Sequence, residues 1–165
     1  VLIGLVQVVA AIVTIIYAHR IASNLRSLHR GTTWGPGWAI GGWFLPPVLF
    51  VIPTLLLREA WKASDPEVPV GGDWRSRPGS PLPLVWFALY GVAPVVLLIA
   101  QASSGNFDNV FGGSGDQVAD SILDGRASAA ITAAVSAAAA VAWFVLVRSL
   151  TDRHRRLTGE ANAAR

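Results

Sequence analysis

Four stretches of the chain are apolar almost without a break: Val1 to Ala18, Trp38 to Leu57, Leu82 to Ala100 and Ala127 to Val147. Each is close to the ~20 residues that an α-helix rising ~1.5 Å per residue needs to cross a ~30 Å hydrocarbon core. Polar and charged residues gather between and after them. The pattern predicts an all-α integral membrane protein with four hydrophobic helical segments. A membrane domain covers residues 1–148, and a basic, partly disordered cytoplasmic tail covers residues 149–165. No long soluble domain and no internal repeat is evident.

The second segment raises a question of its own. Within WAIGGWFLPPVLFVIPTLLL it carries Pro46, Pro47 and Pro53, each lacking a backbone donor in a setting where lipid can supply none. They mark a predicted helix break, and the segment is either a full span or a re-entrant turn that leaves on the face it entered.

The connecting stretches have distinct characters. In HRIASNLRSLHRG, Ile21, Leu25 and Leu28 share a helical face while Arg20, Asn24, Arg26 and Arg30 lie mostly elsewhere, which predicts an amphipathic continuation of the first helix in the head-group region. A Gly-Pro-Gly turn follows, and Trp34, Trp38 and Trp43 then sit at interface depth. Asp65-Pro66 stops the second segment, and residues 65–81 are rich in Pro, Gly and charge, predicting an irregular loop. The third segment accommodates Pro94 only with neighbours or a kink. Residues 101–126 form an acidic loop, with Asp108, Asp116, Asp120 and Asp124 against Arg126 alone.

Composition agrees with membrane residence: 53% of the 165 residues are hydrophobic and only 14% charged, whereas a soluble domain usually carries about a quarter. There is no Cys, which removes disulfides, thiol nucleophiles and sulfur metal sites. There is no Met either, so the numbered chain is expected to lack its true start, and the first segment, followed by His19-Arg20 instead of a small-residue cleavage site, reads as a retained span. The pI of about 10.2 invites a nucleic-acid reading, but the basic residues flank apolar segments and form no DNA- or RNA-binding motif. Anionic lipid head groups are the expected partners, with Arg20, Arg26, Arg30, Arg58 and Lys62 as candidate contacts.

Charge also bears on topology. Four full crossings put residues 58–81 and the tail, with nine Lys and Arg, on one side, and Arg20, Arg26, Arg30 and Arg126 on the other. A re-entrant second segment instead gathers twelve of the thirteen basic residues on one side. Positive charge concentrates on the cytoplasmic side of membrane proteins, so in both topologies the tail is cytoplasmic and the acidic loop 101–126 extracytoplasmic.

The string GWAIGGWFLPPVLFVIPTLLLREAWKASDP, preceded by a basic stretch and followed by a loop and the apolar WFALYG run, resembles the actinobacterial integral-membrane family catalogued as domain of unknown function 4328. The residues carrying the resemblance are Gly37, Trp38, Ala39, Gly42, Trp43, Phe44, Pro46, Pro53, Arg58, Trp61, Ala63 and Ser64. It is specific over residues 34–66 and looser to about residue 148. Relatives often hold Asn-Leu between the prolines, where this chain has Leu49-Phe50. The resemblance implies a four-helix membrane protein of a Gram-positive, high-GC bacterium, residing in the plasma membrane, and implies no known activity.

Candidate chemistry is sparse. His19, His29 and His154 are the only imidazoles and lack the close ligand spacing of a metal site. The run GGSGD at 112–116 is an unrepeated flexible turn. None of the apolar segments contains Asp, Glu, Lys, Arg or His, the groups that pumps and intramembrane hydrolases place at membrane depth, and Thr132 or Ser136 would have no base. Neither enzyme activity nor a cofactor is expected. The fourth segment, mostly Ala, carries Ser128, Thr132, Ser136 and Ala140 every four residues with Ala129, Ala133 and Ala137 alongside, a smooth face that another helix can approach closely and hydrogen-bond. These features predict a non-catalytic accessory or scaffold subunit that packs against other membrane subunits or itself. The alternative is a small homo-oligomeric transporter or channel.

Overall fold

The computed structural model describes residues 2–44, 51–69, 71–103 and 115–159, and every element within them is helical. In chain order these are α1 (Leu2–Ser27), α2 (Trp38–Gly41), α3 (Val51–Ala63), a 3-10 turn (Trp74–Ser76), α4 (Leu82–Phe87), a π turn (Ala88–Val92), α5 (Ala93–Ser103) and α6 (Gly115–Thr158). Two of them, over Val8–Ser27 and Gly125–Thr158, are long and apolar enough to cross a membrane. The chain divides into two compact units, residues 1–84 with 145–165, and residues 85–144.

The first unit is built on α1. Its C-terminal half presents Ala18 and Ala22, one turn apart, and these small side chains let Ala39 of α2 and Leu56 of α3 approach closely, with Trp34 covering the cluster. Ile21 and Leu25 continue the buried side toward the end of α1, as the amphipathic pattern predicts, whereas Leu28 lies beyond the helix and is exposed. The stretch after residue 18 is thus the last two turns of one continuous helix.

The second apolar segment is not a single helix among the described residues. It contains the one turn of α2 and then α3, which runs through the buried Pro53 to Ala63 without interruption. Pro46 and Pro47 lie outside the described residues. Gly42, which caps α2, is where the two elements meet most tightly: a Cβ there would stand 2.8 Å from the Trp38 carbonyl oxygen and 2.9 Å from Ile52 Cγ2. Only glycine fits that approach.

In the second unit, α4, the π turn and α5 form one helical run. Pro94 removes the N–H that would bond the Tyr90 carbonyl and crowds it. The backbone answers with a wide turn immediately upstream, closed by the Ala93 N–H on the Ala88 carbonyl. The neighbour or kink expected at Pro94 is this π turn. Trp86 stacks on Tyr90 at 5.2 Å and packs at 5.0 Å against Trp143 of α6.

Helix α6 departs from the sequence expectation at both ends. Residues 115–126, read as loop from their polarity, are helical, and so is the tail through Thr158. Residues 104–114 and 160–165 lie outside the described residues. Gly159, at φ +78°, provides the left-handed stop that ends helices.

The contact at Gly42 makes a specific demand. Gly42→Ala should lower stability by ~1–3 kcal/mol, the cost of overpacking a close contact. Gly41→Ala, whose Cβ would meet nothing within 4 Å, should leave it unchanged. Thermal unfolding followed by circular dichroism in mild detergent checks the pair, and equal melting of the two variants would contradict the close approach.

Candidate functional site

Helix α3 ends inside the protein, and a helix end leaves four carbonyls without intrahelical partners. At α3 these belong to Ala60, Trp61, Lys62 and Ala63, and each finds a donor. The N–H groups of Ser64 and Asp65 reach Ala60 O at 2.9 Å and Lys62 O at 3.2 Å. The other two are met from distant parts of the chain. Arg153 Nε donates to Trp61 O at 3.2 Å, and Arg30 Nη1 donates to Ala63 O at 3.1 Å. The same Arg30 nitrogen reaches Asp65 O at 2.7 Å, while Nη2 donates to Val68 O. A planar fork of fixed donors reaches the three carbonyls from two separate nitrogens, a spread that the single ammonium of a lysine lacks. Its charge also sits at the negative end of the α3 dipole.

The turn that ends α1 delivers Arg30 to this place. His29 adopts φ 58°, its N–H bonds Arg26 O at 3.1 Å, and the Arg30 N–H bonds Leu25 O at 2.8 Å. This pair of bonds closes a helix around a left-handed residue, usually glycine. A histidine there costs on the order of 1 kcal/mol.

Asp65 collects the surrounding positive charge. Its Oδ2 lies 2.9 Å from Arg77 Nε and 2.8 Å from Arg153 Nη2, and its Oδ1 accepts the Glu67 N–H at 3.0 Å. Arg77 also pairs with Glu67, and Arg153 lies 5.2 Å over the Trp61 ring. Burial alone would push the Asp65 carboxyl up. The Glu67 N–H, Arg77 and Arg153 outweigh it and hold the carboxyl below its ordinary value. Beside it, Ser64 Oγ and His154 Nδ1 are 3.3 Å apart. Ser64 is wholly enclosed, so the pair braces α3 against α6 and presents no nucleophile to a substrate. Tyr17 adds a further tie, donating to Val147 O at 3.2 Å and meeting Thr151 Oγ1 at 3.1 Å.

Next to this knot lies a cleft of about 350 Å³ with Arg58, Lys62, Trp74 and Arg75 in its wall, together with Leu55. Glu59 also faces it, its carboxylate taken by the Thr33 N–H at 2.7 Å. Asp73 caps the 3-10 turn through the Arg75 N–H, and the Arg75 guanidinium lies 4.4 Å over the Trp74 ring.

The structure treats the expected head-group residues differently. Arg20, Arg26 and Arg58 are exposed and Lys62 half-buried. Arg30 is only 5% exposed and gives three of its N–H groups to the Ala63, Asp65 and Val68 carbonyls, so it lies buried away from a lipid phosphate. Of the small-residue face, Ser128 is half-buried while Ala129, Thr132, Ala133, Ser136, Ala137 and Ala140 are exposed. The hydroxyls expected to reach a partner donate instead to their own helix: Ser128 to Gly125 O at 3.1 Å, Thr132 to Ser128 O and Ser136 to Thr132 O, both at 2.8 Å. His19 meets Pro36 O at 3.0 Å, and no metal-binding group of His, Asp or Glu occurs among the described residues. Sequence reasoning missed Asp65, Arg77, Arg153 and Arg75. The only signal was a helix end needing donors beside several arginines, with nothing to say which arginine goes where.

The chain matches the model of the family described as Domain of unknown function (DUF4328) over residues 1–152, and it belongs to that family. No curated protein and no solved structure matches it. The positions that carried the resemblance have structural work in this fold. Ala39 and Gly42 set the close approach of α2, Trp61 and Ala63 expose the carbonyls that the two arginines cap, and Ser64 meets His154.

Removing one partner of a buried ion pair costs ~3–5 kcal/mol. Arg77 and Arg153 keep 35% and 26% of their side-chain surface exposed and can turn to water, so Asp65→Asn should cost about 2 kcal/mol. Because the folded carboxyl is depressed, its contribution is complete above the ordinary carboxylate value of about 4 and is lost as pH falls through the folded value. Denaturant unfolding in detergent between neutral and acid pH should therefore show a steeper acid loss for wild type than for Asp65→Asn. Parallel curves would refute the ion-pair assignment.

Proposed function

We propose that this chain is a multi-pass protein of a bacterial plasma membrane and serves there as a non-catalytic accessory or scaffold subunit. The membrane reading draws on the outer surfaces of the helices. Leu5, Val8, Val9, Ile12 and Val13 of α1, and Ile131, Val141 and Phe144 of α6, are each between 51% and 63% exposed. Apolar surface on that scale suits lipid.

One observation carries the topology: the Arg30 guanidinium stands 2.7 Å from the Asp65 carbonyl oxygen. A straight second span would hold those residues on opposite faces of a ~30 Å core. The second segment is therefore best read as re-entrant, and residues 19–81 share one face with Arg153 and His154. That face then carries twelve of the thirteen basic residues, so it is cytoplasmic by the positive-inside tendency. The acidic stretch 101–126 lies outside.

The scaffold reading draws on how the polar groups are used. Arg30, Asp65, Arg77 and Arg153 are consumed in holding helix ends together. The small-residue face of α6 is exposed, and its hydroxyls are satisfied within the helix. Such a face offers close van der Waals contact and no chemistry, which fits a helix of another membrane protein or of a second copy.

Single cysteines at Ser27, Ser76 and Thr158, in a chain that has none, should all be shielded from an impermeant thiol reagent until cells are lysed, while one at Ser114 is labelled in intact cells. Labelling of Ser27→Cys from outside would restore the straight span. For assembly, Ala133→Leu or Ser136→Leu should weaken association by ~1 kcal/mol per lost close contact. Ala138→Leu, on the far side of α6, should not. Native mass measurement in mild detergent reads the result, and a closed ring of identical chains would favour the transporter or channel instead.

A further inference from the structure

The cleft beside the knot gathers three cations from two separate segments, Arg58 and Lys62 on α3 and Arg75 in the 3-10 turn, around a single carboxylate. Glu59, whose Oε2 accepts the Thr33 N–H at 2.7 Å, sets one negative charge against the three. Lys62 Nζ commits one proton to Arg75 O at 3.1 Å and has two more to give. The guanidiniums of Arg58 and Arg75 make no hydrogen bond to a protein acceptor among the described residues. Gly79 lies against the pair, and a Cβ there would stand 3.4 Å from both Arg58 Nε and Lys62 Cε. Like charges gathered in one wall repel, and an anion among them relieves that repulsion.

The α3 face that forms the cleft also has a direction. Val51, Leu55, Arg58 and Lys62 follow one another at helical spacing along one side. Val51 is 42% exposed and apolar, Leu55 is half-buried, and the cations follow within about 16 Å at ~1.5 Å per residue. Trp74, in the cleft wall, belongs to the residue type that favours the membrane interface.

We infer that this cleft binds an anionic phospholipid, with the head-group phosphate held by Arg58, Lys62 and Arg75 and an acyl chain laid along Leu55 and Val51. The phosphate chemistry alone would equally suit a free phosphate ester. The apolar half of the same helix face selects the lipid. Arg30 has no part in the site, and Arg75, absent from the sequence-based set, does. The inference rests on the membrane placement proposed above.

The test uses the full chain, purified in mild detergent, stripped of lipid and titrated by native mass spectrometry. Phosphatidylglycerol should be retained at least tenfold more strongly than phosphatidylcholine of the same chains. Arg58→Gln and Lys62→Gln should each reduce that retention roughly fivefold, as expected for a basic residue at an anionic lipid surface. Gly79→Val, which leaves every charge in place and covers the pair, should also reduce it, while Arg156→Gln, exposed on α6 away from the cleft, should not. Because Gly79→Val alters no ionic group, it keeps the inference testable if the charge variants fold poorly. Equal retention of the two lipids, or wild-type retention by Gly79→Val and Arg58→Gln together, overturns it. Displacement of phosphatidylglycerol by an equal concentration of glycerol phosphate would instead assign the cleft to free phosphate esters. Alkaline extraction of cell membranes is read separately: release of the chain there defeats the membrane placement itself, whatever the lipid titration gives.

Discussion

The fold depends on the hydrogen bonds that one guanidinium makes to the end of a helix. Arg30 reaches Ala63, Asp65 and Val68 carbonyls together, at a place where backbone acceptors have left their helix and lie out of reach of water. Each unmet acceptor in such a place costs roughly 1–3 kcal/mol, so the end of α3 could not lie where it does without this donor. Its position is in turn fixed by the left-handed His29, which reverses the chain after α1. A strained residue, a helix end and a buried charge thus form one device.

Asp65 extends that device to the rest of the first unit. By joining Arg77 from the loop and Arg153 from α6 on one carboxylate oxygen, it links three stretches of sequence through a contact only a few ångströms across. The apolar parts of α1 and α6 meet their surroundings with few polar groups, while in the first unit the polar chemistry gathers around the end of α3. This separation underlies both the proposed topology and the proposed lipid cleft, since the cations beside the knot lie where the apolar face of α3 gives out.

Much of this was legible in the sequence. The continuation of α1 past residue 18, the buried Ile21 and Leu25, and the need for a local distortion at Pro94 all follow from spacing and from proline chemistry. What failed to read through was governed by distance. Arg30 looks like a surface charge because its acceptors lie more than thirty residues away, and no local pattern marks an arginine that will be buried. Residues 115–126 look like loop because they are polar, although polar residues can equally continue a helix beyond an apolar stretch. The small-residue face of α6 was legible as a surface, and within the chain the Thr132 and Ser136 hydroxyls on it donate to the i−4 carbonyl of their own helix.

The shared carboxylate also has a consequence for the order in which the molecule is completed. Asp65 and Arg77 are made before Arg153 and His154, which belong to the last turns of α6. During synthesis Asp65 therefore waits with one arginine, and the Trp61 carbonyl waits with no donor from Arg153, until the last turns of α6 have left the ribosome. A chain cut short before residue 153 would keep its apolar helices and lose the clasp that joins α6 to α3. Such a product would present an open helix end and an acid left with one arginine in place of two.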